Sequence, residues 1–219
     1  MNQLFKTRYI AFLAAVLSLS PLAAVAQDEA TFYASAYGGI PAAPSTSFSE
    51  FRPTGPGVGG TAKFGGGLGF GAAVGSRFAN GWAVELAWDE RGNYLRRVGG
   101  VSVDGNIFSE LVLLNAYYRF PARGALRPFI GAGLGYVVAL DIDVDRSGSE
   151  QEYSRKGGVA VQAVAGVEYI LAPRWRLSGD ARWTSVDSGT FKASDAGNVL
   201  IGKPKYRPAS LNFGVTYLF

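Results

Sequence analysis

The 219-residue sequence contains no cysteine and no histidine. The first absence removes disulfides, thiolate-held zinc or iron–sulfur centres, thiol nucleophiles and an acylated-cysteine membrane anchor. The second removes Ser-His-Asp hydrolysis, HExxH metalloprotease sites and every other His-dependent site. A strong charge of either sign is also missing. There are 21 Lys+Arg against 17 Asp+Glu, and Lys6 and Arg8 lie in a leader segment. The remaining balance of 19 against 17 is too even for a nucleic-acid partner. After residue 19 no apolar run approaches the ~20 residues that a spanning helix needs. If the mature chain sits in a membrane, helices do not carry it there. Glycine, by contrast, is plentiful: 30 residues, about twice the usual ~7%.

The leader has three parts. Residues 1–8 are short and basic, residues 10–19 are almost wholly apolar, and Ala24-Val25-Ala26 is a small-x-small cleavage pattern. This is the layout of a secretory signal peptide spanning 1–26. Cleavage between Ala26 and Gln27 leaves one mature domain, residues 27–219.

Beyond it, apolar residues recur with a period of two, the signature of strands. In residues 61–78, Phe64, Leu68, Phe70, Ala72, Val74 and Phe78 share one face, and Lys63, five glycines and Arg77 share the other. Ala79-Asn80-Gly81 follows as a tight turn. Trp82, Val84, Leu86 and Trp88 then oppose Ala83, Glu85, Ala87 and Asp89. The same alternation returns in residues 107–120, 128–144, 158–171, 175–183 and 210–219, and less clearly in 30–40. About eight strands result, joined alternately by short turns (79–81, 121–127, 172–174) and long loops (41–60, 90–105, 145–157, 187–207). Short turns at one end and long loops at the other are the pattern of outer-membrane barrels.

The decisive question is which face points outward. A soluble ligand-carrying barrel also alternates, with its charged face in water. Here the non-apolar faces are mostly glycine and alanine, as in Gly131, Gly133 and Gly135. That is a poor surface for water but suits a crowded bore. Phe78, Trp82, Tyr118, Phe120, Tyr169 and Trp175 flank the short turns as an aromatic girdle, with Trp88 and Trp183 towards the other rim. Hydrocarbon also forbids an open sheet edge. The expectation is an all-β, closed, antiparallel, eight-stranded up-and-down transmembrane β-barrel.

Several segments resemble a known family. Pro128-Phe129-Ile130-Gly131-Ala132-Gly133-Leu134-Gly135-Tyr136 is similar to the fifth-strand motif of the outer-membrane β-barrel domain family, the OmpA-like and opacity-type small barrels. Residues 114–120 and 162–169 resemble its fourth and sixth strands. Phe213, Val215, Tyr217 and the final Phe219 resemble the C-terminal signal read by the barrel-assembly machinery. The resemblance implies residence in a Gram-negative outer membrane. The sequence ends at Phe219 without the peptidoglycan-binding domain of full OmpA proteins, so a cell-wall tether is not expected.

By register the bore receives Lys63, Arg77, Glu85, Arg119, Glu168, Arg176, Asp180 and Arg182. Arg77–Glu85, Glu85–Arg119 and Glu168–Arg176 are diagonal neighbours within reach. They would form a salt-bridged plug, or, as the alternative, the gate of a narrow path for ions or small solutes. An eight-stranded bore is just wide enough to be filled by side chains. Asp141, Asp143, Asp145 and Glu152 have a spacing reminiscent of a calcium-binding EF loop, but Arg146 stands where that loop needs glycine. They read as solvated carboxylates. Residues 67–72 fit a loose dinucleotide fingerprint inside a strand with no helix after it, which does not function. Arg91, Arg96, Arg97, Arg155, Lys156, Lys192, Lys203, Lys205 and Arg207 fall in the long loops, as solvated charge or as contacts to lipopolysaccharide phosphates. Enzymatic activity, cofactors and metals are not expected. The expected partners are outer-membrane lipid and lipopolysaccharide, the assembly machinery, and an extracellular ligand of the loops. The chain is expected to be monomeric, with a structural or surface-interaction role.

Overall fold

The computed structural model describes residues 30–42, 46–51, 59–98, 100–146, 149–187, 190–193, 200–202 and 206–219. The signal-cleavage pair Ala26 and Gln27 lies outside them. The elements are β1 (Ala30–Ala42), β2 (Thr46–Phe51), β3 (Gly59–Phe78), β4 (Trp82–Val98), β5 (Val101–Arg119), β6 (Leu126–Arg146), β7 (Ser149–Arg155), β8 (Val159–Ile170), β9 (Trp175–Val186), β10 (Thr190–Ala193), β11 (Leu200–Gly202) and β12 (Ala209–Leu218).

Eight of these close a ring. All pairings are antiparallel, and β1 pairs with both β12 and β3, giving the circuit β1-β12-β9-β8-β6-β5-β4-β3. No edge is left in the spanning part, as lipid requires. The turn after β3 is as tight as its composition demands. Gly81 adopts φ 90°, its N–H donates to the Phe78 carbonyl at 3.1 Å, and the Asn80 side chain accepts from the Trp82 N–H at 3.2 Å.

The long connections are not simple loops. β4 and β5 run on to a hairpin tip between Val98 and Val101, and β6 turns back as β7. Above the spanning ring, β7, β10, β11 and β2 take over from β8, β9, β12 and β1. With β3, β4, β5 and β6 they form a second circuit of strands. The long-loop end is therefore a wall of paired backbone that continues the barrel.

The two faces are sorted as in a membrane protein. Leu134 is 65% exposed and Phe213 77% exposed, while Glu85 and Glu168 are buried. In water this inversion would leave a very large apolar surface bare. In hydrocarbon it is the favourable arrangement. Girdle aromatics touch one another next to the short turns: Trp82–Tyr118 at 5.3 Å, Trp175–Tyr217 at 4.9 Å and Tyr217–Phe219 at 5.4 Å between ring centroids. Phe213, Val215 and Phe219 of the expected assembly signal are exposed on the outer face, and Tyr217 is partly so.

The inward glycines accommodate tyrosines. Tyr33 and Tyr37 lie in register opposite Gly75 and Gly71, and Tyr117 lies opposite Gly131. A Cβ at any of these glycines would overlap the tyrosine ring. The rings come from the adjacent strand, not from across the bore. Each covers its glycine, and the Tyr33 and Tyr37 hydroxyls reach past Gly75 and Gly71 to Glu85 and Asp89 on β4, a use of aromatic residues against strand glycines known from sheet design.

Candidate functional site

The bore is filled in three zones. At the short-turn end Glu168 on β8 gathers three guanidinium groups. Arg77 binds it bidentately, one contact being 3.0 Å. Arg119 Nε lies 3.7 Å and Arg176 Nε 3.9 Å from its carboxylate. Of the expected diagonal pairs, Glu168–Arg176 forms, while Arg77 and Arg119 bind Glu168 and not Glu85. The reason is the width of the ring. β3 and β8 stand opposite each other in the circuit, and an arginine is long enough to cross so narrow a bore. Glu85 instead accepts hydrogen bonds from the hydroxyls of Tyr33 (3.0 Å) and Tyr117 (3.1 Å) and from the Asn115 amide (3.3 Å).

The middle zone is a second ionic cluster. Arg182 donates to Asp180 at 2.7 and 3.2 Å, and Asn212 donates to the same carboxylate at 2.9 Å. The Arg182 guanidinium lies 3.8 Å from the centroid of the Tyr37 ring. Tyr37 and Arg91 both donate to Asp89, and Arg91 also donates to Thr184. Asp89 and Arg91 are absent from the residues that the sequence reading assigned to the bore. Asp89 shares the face of Ala83, Glu85 and Ala87 in the alternation itself, and Arg91 continues that parity into the stretch from residue 90 that is expected to be loop. Arg91, expected among solvated loop cations, is thus corrected to a buried lumenal residue.

The third zone is apolar and runs from the level of Asp89 towards the long-loop end, Leu111 being the register partner of Asp89. Leu111, Leu113, Val137 and Leu140 have no exposed surface, and Leu95, Ile107, Tyr153, Val186 and Tyr206 pack with them. Within this cap the Tyr206 hydroxyl donates to Asn93 Oδ1 at 2.9 Å, and the Asn93 amide donates to the Pro41 carbonyl at 3.0 Å. Tyr206→Phe leaves that buried acceptor without its donor. It should cost about 1–3 kcal/mol, read as a shift in the urea midpoint of the vesicle-embedded protein.

Lys63 is not in the bore. β3 carries an extra residue between Phe64 and Gly67 relative to β4, and β4 carries an extra one between Leu95 and Arg97. The β3 bulge flips the parity that strict alternation extends from Gly71, and the β4 bulge does the same for Arg97. Phe64 therefore turns inward, partly buried against the cap, with its ring 6.4 Å from that of Tyr206. Lys63 turns outward and is exposed. The remaining seven expected lumenal residues, Arg77, Glu85, Arg119, Glu168, Arg176, Asp180 and Arg182, line the bore.

The acidic run Asp141, Asp143, Asp145 and Glu152 lies on the β6–β7 hairpin. Asp143 and Glu152 face each other across the ladder. Extended, paired strands cannot wrap an ion as an EF loop must. Among the described residues no group of three or more acidic side chains is placed to hold a metal. Asp141, above the apolar band, is pushed up to about 6 by partial burial, then by the charges of Glu152 and Asp143. A folded-state value above the unfolded one stabilises the fold at low pH. That stability is present below about pH 4 and lost as pH rises through about 6. Asp141→Asn should therefore raise the thermal midpoint at pH 7.5 and leave it unchanged at pH 3.5.

Among the other expected loop cations, Arg155 binds the Asp187 backbone and carboxylate. Arg96, Arg97, Lys156 and Arg207 are exposed. The side chains of Lys192, Lys203 and Lys205 lie outside the described residues.

A closed antiparallel ring with an apolar belt outside and charges within defines an integral outer-membrane β-barrel. Residues 11–219 match the family model described as the outer membrane protein beta-barrel domain, and the chain belongs to that family. It is 26% identical over 143 residues to an uncharacterized outer-membrane protein, y4mB, of Sinorhizobium fredii. The match covers 65% of this chain and spans 62% of that relative's length. In fold it is similar to the outer membrane protein OprG of Pseudomonas aeruginosa (TM-score 0.62, 16% identity, 87% of this chain and 97% of that one). It is also similar to a major outer membrane protein of Thermus thermophilus (TM-score 0.55, 16% identity, 87% and 99%). The protein resides in the outer membrane of a Gram-negative envelope, the location of its family and relatives.

Proposed function

We propose that this barrel is a closed, non-enzymatic structural element of the outer membrane that presents its strand-built upper wall to the exterior. The observation that carries the reading is the apolar cap. A solute crossing the bore would have to displace paired charges and to part Leu111, Leu113, Val137 and Leu140, which are packed without exposed surface. Moving a hydrated ion into such a zone without compensating groups is prohibitively costly. The ionic clusters tie β3, β5 and β9 to Glu168 on β8 and stiffen the ring. They are a scaffold in this reading and not a gate.

Liposome swelling tests it. Vesicles holding the refolded protein should swell no faster in small sugars or amino acids than empty vesicles. Swelling that tracks solute size would establish the alternative, a narrow solute channel. The surface role is tested separately, by comparing detergent and bile-salt sensitivity of a deletion strain carrying the full barrel or one with the β4–β5 and β6–β7 extensions shortened to tight turns. Equal protection by both would overturn it.

A further inference from the structure

The β3 bulge that turns Lys63 outward and the β4 bulge that turns Arg97 outward occur at the same height on paired strands, and their joint effect is a cluster of cations. Lys63 and Arg97 are direct partners across β3 and β4, and both are exposed. Side chains so paired lie about 5 Å apart at Cβ, and like charges placed this way destabilise a sheet. Arg96, the extra residue of the β4 bulge, joins them on the outer face. Its guanidinium lies 5.4 Å from the centroid of the Tyr94 ring. Its side chain also lies over Gly65, where a Cβ would meet Arg96 Nε at 2.9 Å. Gly65 thus leaves Arg96 room to lie flat on β3 beside Tyr94, just below the Lys63–Arg97 pair. Among the described residues none of the three cations has an ion-pair partner. Bulges commonly re-aim side chains at functional positions, and here two of them cooperate to gather charges that repel each other.

The height of the cluster identifies what would neutralise it. The outward apolar run on β3 ends at Leu68, which is 73% exposed, and starts at Phe78. Ten residues of tilted strand rise about 25 Å, the height of the apolar band of such barrels. Lys63 and its partners lie about 10 Å above that edge, at the level of the outer leaflet's headgroups. Tyr94, 56% exposed, stands between the band and the cluster as an interfacial aromatic.

We propose that Lys63, Arg96 and Arg97 form a site for the phosphate of an outer-leaflet lipid headgroup, with lipopolysaccharide as the lipid. Two guanidinium groups can each grip a phosphate with paired N–H donors, and the lysine adds a third, compact charge. The acyl chains of the same lipid would lie against Leu68 and Phe70 below. The site does not depend on whether the bore conducts, so the two proposals fail separately.

The refolded full-length mature protein is placed in phosphatidylcholine vesicles with and without lipopolysaccharide, and the thermal midpoint is read by the gel shift of the heat-modifiable band. Lipopolysaccharide should raise the midpoint of the wild type, and chemically dephosphorylated lipopolysaccharide should not. In Lys63→Gln/Arg96→Gln/Arg97→Gln the rise should vanish, with apparent affinity about fivefold weaker for each cation removed. Lys156→Gln, which removes an exposed cation just after β7, should retain the full rise. Loss of the rise in Lys156→Gln, an undiminished rise in the triple variant, or an equal rise with the dephosphorylated lipid would each overturn the site. So would an equal rise from soluble dextran sulfate without the lipid, which would assign the patch to acidic polysaccharide. The dephosphorylated-lipid arm uses only wild-type protein and decides the matter even if the triple variant refolds poorly.

Discussion

Glu168→Ala should destabilise the barrel by about 3–5 kcal/mol, the cost of breaking a buried ion pair from one side. Three arginines converge on this carboxylate from β3, β5 and β9. Deleting it leaves their charges facing one another in a bore with little water. The effect is measured by urea unfolding in lipid vesicles with tryptophan fluorescence. Glu168→Gln should cost less, because the amide oxygen still accepts a hydrogen bond from Arg77. In Arg77→Ala/Glu168→Ala the loss should fall well short of the sum of the single losses, since one uncompensated charge leaves with its partner. A Glu168→Ala effect within ~0.5 kcal/mol of wild type would resemble an ordinary surface substitution. It would mean that the three arginines are solvated independently and that the bore is wide and wet.

The second large effect concerns the outer face. Leu134→Arg should cost about 2–4 kcal/mol in the same assay, the range for a cation near the midplane on the lipid side of a barrel. Leu134 is paired with Leu114 on one side and Val161 on the other, and all three point outward. No outward charge occurs on β6 between Leu126 and Asp141. An arginine there has no partner and must reach an interface or thin the bilayer. A near-neutral outcome would place this face in water, contrary to the sorting of residues on every spanning strand.

These two predictions share a source in the sequence, which is parity. Period-two alternation suffices to put Glu85, Glu168 and Asp180 on one side and Leu114, Leu134 and Phe213 on the other, because a strand has only two faces. Glycine on the charged side then identifies that side as the bore. Parity fails where a strand gains a residue. Nothing in Phe64-Gly65-Gly66-Gly67 announces a bulge, although consecutive glycines are the permissive place for one. Lys63 and Phe64 consequently exchange sides. Parity also says nothing of pairing across the bore. Diagonal reasoning works along the wall, as for Glu168–Arg176, and cannot foresee Arg77 reaching from β3 to β8. The apolar cap is the third feature that the sequence conceals. Leu111, Leu113 and Val137 sit on the same faces as Asn115, Tyr117 and Gly135, and a leucine on an otherwise polar face reads as an irregularity. Only with the ring closed do such residues from several strands pack into one cluster, which the proposed function takes to close the bore.

Single-channel recording shows whether the bore is closed. The mature protein is refolded, its fold is checked by heat-modifiable migration, and it is inserted into a planar bilayer in 1 M KCl. The wild type should remain electrically silent across the voltage range the bilayer tolerates. Leu111→Gly/Leu113→Gly, which opens the cap and leaves the ionic clusters intact, should show brief conducting events. Stable conductance of the wild type, altered by Glu168→Gln and indifferent to the leucine pair, would contradict the account and make the Glu168 cluster a working gate.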